Sequence, residues 1–438
     1  MYDSILIGVD EIWVKSERVK NILMKKLADD ISRRINANIK IGRGRIFIFD
    51  YKEDWIKILS KVFGVKTIYP SKMIETDINK IVEESLKFFE NFSGSFKLVV
   101  NRVYKNFPLT SYEVAKEVGK KIVEKYNLKV DVKNPDKILY IEIHPNFTFL
   151  YDKIIYGPGG FPLGSEGKGL VLFSGGIDSS VAAYMMGKRG MDLDFLFINT
   201  AGNFYLQYVY RVFEKLKEYF PDSKLYVWDL DIDKLLLVKE GYRQILFKVI
   251  IYKIAEEFAK SKKYDCIITG ESLGQVSSQT IESLKILDSL SNYLFFRPLI
   301  GFNKDEIIEL SKRIGVYEIR APEICQIEKH PFAKPKLDII LEELKKININ
   351  FKEEINKVYE LKNIQIDEYN LNLPERNKVI VVTSDKFNNY EFEKGNKYLL
   401  VCKTGIIARY YAEKLKQNGI EAYYLDEKTA KRLGYINP

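Results

Sequence analysis

The spacing of apolar positions changes several times along the chain, and each change predicts an element. Ser4–Gly8 reads as a strand, about Ser16 to Ile35 as an amphipathic helix, and Ile39–Ile41 with Arg45–Phe49 as two short strands. Helices are then predicted over Asp54–Phe63 and Asp77–Phe89, a strand over Ser95–Val100, a helix over Ser111–Tyr126 and a strand over Leu139–Ile143. Both stretches are α+β in character. The glycine-rich segments Gly157–Gly160 and Gly164–Gly169 read as a linker.

Beyond it the pattern becomes that of buried strands. Gly169–Phe173 is a continuous apolar run, followed by a turn, a helix and a second run, Leu193–Asn199. Further strands are predicted at Lys224–Leu230 and Cys266–Thr269, with helices at Val238–Lys260 and Lys304–Ile314. Alternation of this kind implies a doubly wound parallel sheet. The stretch from Leu341 to Arg376 is charged, Asn-rich and Pro-interrupted, and is read as helix followed by linker. A closing βαβ piece has strands at Val379–Val382, Tyr398–Val401 and Ala422–Leu425 and a helix at Ile407–Asn418. The expected segments are therefore 1–55, 56–165, 166–345, 346–376 and 377–438.

Composition narrows the function classes. At 438 residues and 46% hydrophobic, the chain supports two to four domains. A net charge of +9 suits contact with a polyanion without requiring one. No apolar run reaches the roughly 18 residues of a membrane span, and Met1-Tyr2-Asp3-Ser4-Ile5 lacks the basic and apolar regions of a signal peptide. A cytoplasmic protein with no membrane partner is expected. Cys266, Cys325 and Cys402 form no Cys-x-x-Cys pair, and His144 and His330 are the sole histidines. No resident zinc or iron–sulfur ligand set is assigned. Cys266 lies within an apolar strand and is read as core. Cys402 ends a strand just before a helix, where a thiolate gains from the helix N-terminus.

The sharpest motif is Leu172-Phe173-Ser174-Gly175-Gly176-Ile177-Asp178-Ser179-Ser180, between the first apolar strand and an Ala-rich helix. Glycines let backbone N–H groups approach an anion, and the helix N-terminus adds partial positive charge. No Gly-Lys-Ser/Thr closes the loop, so it is not a Walker A motif, and Gly-x-Gly-x-x-Gly is absent. Ser-Gly-Gly-x-Asp-Ser instead resembles the pyrophosphate loop of PP-loop ATPases, which cleave ATP to AMP and pyrophosphate while adenylating a carbonyl oxygen. Thr269-Gly270-Glu271-Ser272-Leu273-Gly274-Gln275-Val276-Ser277-Ser278-Gln279-Thr280 follows a later strand, where ligands of open α/β sheets bind. Arg297-Pro298-Leu299-Ile300-Gly301-Phe302-Asn303-Lys304-Asp305 puts a cation at a helix start, suited to charge growing on an α-phosphate.

These three motifs resemble those of one family, the tRNA 4-thiouridine synthetases (tRNA uracil 4-sulfurtransferases). Gly8-Val9-Asp10-Glu11-Ile12-Trp13-Val14-Lys15 looks like that family's N-terminal ferredoxin-like segment, with Ser16 and Glu17 where Lys-Gly is more usual. Phe96–Gly164 is similar to its RNA-binding THUMP domain, notably at Phe107-Pro108-Leu109-Thr110-Ser111-Tyr112-Glu113, at Val130–Asp136 and at Gly157–Gly164. Ser180 stands where proline is common. The Cys402-x-x-Gly405-x-x-x-Arg409 loop looks like the persulfide loop of a rhodanese-like domain, although only about 60 residues from Lys378 onward are available for that module, short of an ordinary domain.

The resemblance implies an α/β multidomain protein. It would have N-terminal ferredoxin-like (1–55) and THUMP (56–165) modules, a PP-loop ATPase domain (166–345), a helix and linker (346–376) and a truncated rhodanese-like module (377–438). ATP would be bound by Leu172, Phe173, Ser174, Gly175, Gly176, Asp178, Ser179, Gly270, Gln279 and Arg297, with Mg²⁺ as cofactor. Asp178 and Lys304 would serve adenylation, Cys402 would carry persulfide, and Cys325, after Pro322-Glu323-Ile324, would be its redox partner. RNA contacts would come from Phe107, Pro108, Ser111, Asn134 and Pro135. The implied partners are tRNA, a persulfide donor such as a cysteine desulfurase or another sulfide source, and a thiol reductant, and the resemblance is compatible with a homodimer. The rival readings are an adenylating enzyme acting on a thiamine-thiazole sulfur carrier or another tRNA nucleoside, and a non-catalytic RNA-binding protein.

Overall fold

Short alternating strands bury one face each, and in the N-terminal part helices cover that face. The computed structural model describes residues 2–42, 44–200, 202–231, 233–319, 331–364, 373–402 and 406–437. These form two units, one of residues 1–166 with 187–191, the other of residues 167–186 with 192–438.

The first unit contains strands β1 (Ser4–Val9), β2 (Ile39–Gly42), β3 (Arg45–Ile48), β4 (Val65–Glu75), β5 (Ser95–Arg102), β6 (Lys129–Val130), β7 (Lys137–Ile143), β8 (Phe147–Tyr151) and β9 (Ile155–Tyr156). They make one sheet in the order β2-β3-β1-β4-β8-β7-β5-β6, with β9 on β4. Helices α1 (Glu17–Ile35) and α2 (Glu53–Leu59) close over Ile5, Ile7, Ile46 and Ile48, while α3 (Ile78–Lys87) and α4 (Ser111–Tyr126) close over Phe96, Leu139, Ile141 and Ile143. Sequence pattern missed β4 and β8. The run Val65–Glu75 is interrupted by Lys66, Pro70 and Lys72 and resembles a loop, yet it pairs with β1 at one end and β8 at the other. The expected glycine linker is also fastened, because the Gly159 N–H donates to the Val65 carbonyl and the Gly160 N–H to Asp10, each within 2.9 Å.

The opposite face of this sheet is aromatic, with Phe47, Tyr69, Tyr140, Phe149 and Tyr151 gathered around Leu6. Arg45 on β3 reaches Glu142 on β7 at 3.1 Å. Four strand spacings separate them along the sheet, about 19 Å if it were flat, so the sheet must curl over this face. Burial would raise the Glu142 carboxyl, but His144 and Arg45 hold it below the usual range.

In the second unit, β10 (Lys168–Leu172), α5 (Ile177–Lys188), β11 (Asp192–Asn199), α6 (Gly202–Leu216), β12 (Leu225–Asp229), α7 (Asp233–Leu236), α8 (Arg243–Lys262), β13 (Cys266–Ile268), α9 (Ile281–Ser289), β14 (Phe295–Phe296) and α10 (Lys304–Ile314) follow in order. Helices α11 (Leu337–Ile347) and α12 (Phe351–Glu354) lead to β15 (Tyr359–Glu360), completing the sheet order β14-β13-β10-β11-β12-β15. All pairings are parallel except β12 with β15. Helix α8 buries Leu246, Ile250 and Ile254 against Leu170, Leu196 and Trp228. The stretch expected to be linker therefore joins this sheet as far as Glu360, and Trp228 fastens it by donating to Glu354 at 3.2 Å. The charges that masked this strand in the sequence lie at a sheet edge, where they are solvated.

A separate parallel sheet of β16 (Ile380–Thr383), β17 (Lys397–Cys402) and β18 (Glu421–Asp426) ends the chain. Helix α13 (Ile406–Gln417) covers one face through Ala408 and Ala412, and α14 (Glu427–Arg432) covers the other through Ala430. Among the described residues, no helix is long and apolar enough to cross a membrane.

Candidate active site

Strand β10 lies between β13 and β11, so the loop leaving its carboxyl end opens at the middle of the sheet, where ligands of such folds bind. Gly175 takes a φ of +70°, which turns the chain into α5 and is available cheaply only to glycine. Ser174 and Ser179 bind each other across the turn at 3.2 Å, and the Ser174 hydroxyl accepts the Gly176 N–H at 3.3 Å. The loop is thus preformed. Ser180, in the place where proline was noted, donates to the Gly176 carbonyl at 2.8 Å and completes the first helical turn. The first turn of any helix leaves N–H groups without helical partners, which makes the start of α5 a place for phosphate.

Asp178, at the start of α5, meets Lys304, at the start of α10, at 2.8 Å. The two residues are 126 positions apart, and the resemblance assigned both to the same chemistry. Asn303 and Glu306 form a capping box that fixes the first turn of α10 and hence the root of Lys304. Gln275 also donates to Asp178, at 3.1 Å. The three motifs found in the sequence converge on this carboxylate.

Gly270 brings the second loop against the first. A Cβ there would lie 2.7 Å from the Asp178 carbonyl carbon and the Ser179 nitrogen, so no larger residue fits without moving backbone. Beside it the buried Glu271 accepts from Tyr252 at 2.6 Å, Lys248 at 2.7 Å and Arg297 at 2.9 Å. Burial opposes this charge, yet Lys248, Tyr252 and Arg297 outweigh it and bring the carboxyl down to about 2. Arg297 was expected to bind nucleotide. The structure places its guanidinium between Glu271 and Asp288, where it braces the loop. Gln279 is buried in the same loop, its side-chain oxygen having no partner among the described residues.

A feature absent from the sequence reading is an apolar cavity of about 110 Å³ lined by Leu172, Phe173 and Ser174 together with Phe197, Ile198, Thr200, Tyr205, Phe247 and Ile251. The Tyr205 hydroxyl donates to the Ser174 carbonyl at 3.0 Å, tying this cavity to the phosphate loop. Its walls come from four elements, so no local motif announces it. The one available signal was Thr200, a hydroxyl-bearing residue just after β11.

Cys266 is fully buried in β13, and burial pushes its thiol up to about 12, as suits a core residue. Cys402 ends β17, and its sulfur accepts the Ala408 N–H from the first turn of α13 at 3.3 Å. At 4% exposure it is more enclosed than a loop cysteine should be. Cys325 lies outside the described residues. In the first unit Phe107 is 7% exposed and packs with Val114 and Val118, so its ring supports the start of α4. Pro108 and Asn134 are exposed, Ser111 and Pro135 partly so.

Comparison with known proteins identifies the assembly of domains. A model described as thiamine biosynthesis protein (ThiI) matches residues 164–349, and the THUMP domain model matches residues 74–152. A probable tRNA sulfurtransferase of Caldanaerobacter subterraneus subsp. tengcongensis is 36% identical over 381 residues, covering 82% of this chain and 100% of that protein. This chain belongs to the tRNA sulfurtransferase family. The tRNA sulfurtransferase of Thermoplasma volcanium is 32% identical and covers 99% of this chain and 98% of its own length. A crystal structure of a 4-thiouridine synthetase–RNA complex with bound ATP has a TM-score of 0.74 and 26% identity, covering 83% of this chain and 100% of that one. The expected α/β class, with THUMP and PP-loop ATPase folds, is borne out, and as a tRNA sulfurtransferase the chain is a sulfur-transferring enzyme. Residues 350–438 fall outside both family matches.

Proposed function

We propose that this sulfurtransferase uses ATP to adenylate the C4 oxygen of uridine 8 in tRNA and replaces that oxygen with sulfur, giving 4-thiouridine. The observation that carries the reading is the meeting of Asp178 and Lys304 at the mouth of a preformed phosphate loop beside an apolar cavity. The cavity suits a purine, the loop a triphosphate, and Lys304 the charge that grows on the α-phosphate. The solved relative with RNA and ATP supports both ligands.

Oxygen on C4 is a poor leaving group. Attack of that oxygen on the α-phosphate expels pyrophosphate and makes C4 electrophilic. A terminal persulfide sulfur on Cys402 then attacks C4 and AMP departs. Thiolate attack by Cys325 on the Cys402 sulfur breaks the S–S bond, releases the thiolated base and leaves a Cys325–Cys402 disulfide for a cellular thiol to reduce. Because Cys402 is enclosed, loading by a persulfide donor requires it to be uncovered. The rhodanese-like character of the last module, the cytoplasmic location and a homodimer belong to this same reading.

Magnesium fits the site in a limited way. Among the described residues no three His, Cys, Asp or Glu groups converge, but an ion carried mainly by nucleotide phosphates needs only one or two carboxylates, and Asp178 supplies one. When bound it would neutralise phosphate charge. The family model's name also points to a sulfur carrier of thiamine synthesis as a second acceptor, whereas the THUMP match favours RNA. Pyrophosphate release measured with and without unmodified tRNA tests the proposal. Release that depends on tRNA and falls at least about 100-fold in Lys304→Ala supports it, and tRNA-independent release would overturn it.

A further inference from the structure

Asp178 lies inside the phosphate loop, between Ser174 and Ser179, which bind each other across the turn at 3.2 Å. A carboxylate placed in an anion site repels its own ligand unless a cation offsets it. In the structure that cation is Lys304, whose ammonium donates to Asp178 Oδ1 at 2.8 Å and to Oδ2 at 3.1 Å. The pair is closed on both oxygens. Gln275 adds a further hydrogen bond from the neighbouring loop, to Oδ2 at 3.1 Å.

The closed pair conflicts with the two tasks that the proposed function gives its members. Lys304 has to meet the charge growing on the α-phosphate, and Asp178 has to help hold the Mg²⁺ that nucleotide phosphates carry. An ammonium bridging both carboxylate oxygens leaves neither group available. The surroundings let the pair open by side-chain rotation alone. Asn303 and Glu306 cap α10 and fix the root of Lys304, while Asp178 is rooted in the first turn of α5. The Lys304 and Asp178 side chains are 38% and 25% exposed, and ion pairs so open to water are weak enough for a phosphate to compete for the ammonium.

We propose that Lys304 is a stand-in cation, which neutralises Asp178 before nucleotide binds and then exchanges this carboxylate for the triphosphate, leaving Asp178 to hold the incoming Mg²⁺. This rests on the ATP-dependent function proposed above and adds how that site selects its substrate. Metal-free ATP has to draw Lys304 away and then lie against a bare carboxylate, whereas the magnesium complex brings the charge that replaces the ammonium. The loop therefore admits ATP as its magnesium complex and resists the free anion. Gln275 keeps its own bond to Oδ2 and holds the carboxylate in place during the exchange.

The test is calorimetric titration of the full chain with ATP, in EDTA and in excess Mg²⁺, for the wild type, Asp178→Asn and Lys304→Met. No RNA is added, so the reading is of binding alone. In EDTA, Asp178→Asn should bind ATP at least about tenfold more tightly than the wild type, because the ammonium is free and the opposing charge is gone. Lys304→Met should bind it about 5–30-fold more weakly, having lost the donor to phosphate. Excess Mg²⁺ should tighten binding at least about tenfold in the wild type and less than about threefold in Asp178→Asn. The exchange would be overturned by a gain below about threefold for Asp178→Asn in EDTA, by a magnesium gain above about threefold in that variant, or by Lys304→Met binding within about twofold of the wild type. A wild type that binds no ATP in either condition would overturn the ATP-dependent function as well.

Discussion

Replacing Glu271 by Gln removes one negative charge from a buried site and leaves Lys248 and Arg297 facing each other without it. Breaking a buried pair in this way costs about 3–5 kcal/mol, a large part of the roughly 5–15 kcal/mol that holds a domain folded. For a unit of this size each kcal/mol moves Tm by about 2–4 °C, so the melting transition should fall by about 6–20 °C at pH 7. The pH dependence gives a sharper check. The folded carboxyl is brought down to about 2 from its ordinary 4.5, so it contributes stability that is fully present above 4.5 and is lost as pH falls through 2. The whole contribution is on the order of 3 kcal/mol, and more than half of it should be gone by pH 3, where the unfolded carboxyl is protonated and the folded one is not. Thermal unfolding of wild type and Glu271→Gln at pH 7, 5 and 3 should therefore show a gap that stays level to pH 5 and narrows at pH 3. A gap below about 2 °C at pH 7, or one that does not narrow at pH 3, would refute the network as the brace of this loop.

Other outcomes follow from the same geometry. Gly270→Ala would force a Cβ to 2.7 Å from the Asp178–Ser179 backbone, and tRNA-dependent pyrophosphate release should drop at least about tenfold with RNA affinity retained, as read by filter binding. Cys402→Ser should abolish thiolation while tRNA-dependent adenylation continues, whereas Cys266→Ser should lower Tm and leave turnover per folded molecule unchanged. Arg45→Met removes one of the two partners of the buried Glu142, with His144 remaining, so urea unfolding of the full chain should show a loss of about 1–3 kcal/mol, and tRNA affinity should fall with it.

Much of the catalytic half was legible before the structure, because its signals are local. Ser174–Ser179 combines a buried strand, two glycines and a helix start within a few residues, and only an anion site commonly needs that sequence. The pairing of Asp178 with Lys304 was reachable through family resemblance, since no periodicity links residues 126 positions apart. What the sequence did not reveal is which distant groups meet. The pairing of Arg297 with Glu271 and Asp288, and the packing of Phe107 against α4, join residues that no local pattern links. Strand β4 escaped because its lysines and Pro70 break the alternation, although it is held on both flanks. The apolar cavity escaped for a similar reason, its lining being assembled from the strand ends and from α6 and α8.

The most direct measurement is mass spectrometry of nucleosides from unmodified tRNA incubated with the protein, ATP–Mg²⁺, a persulfide-generating donor and a thiol reductant. The account predicts 4-thiouridine at position 8 that requires ATP and disappears in Lys304→Ala. Unchanged uridine in a reaction where tRNA binding is confirmed would contradict it.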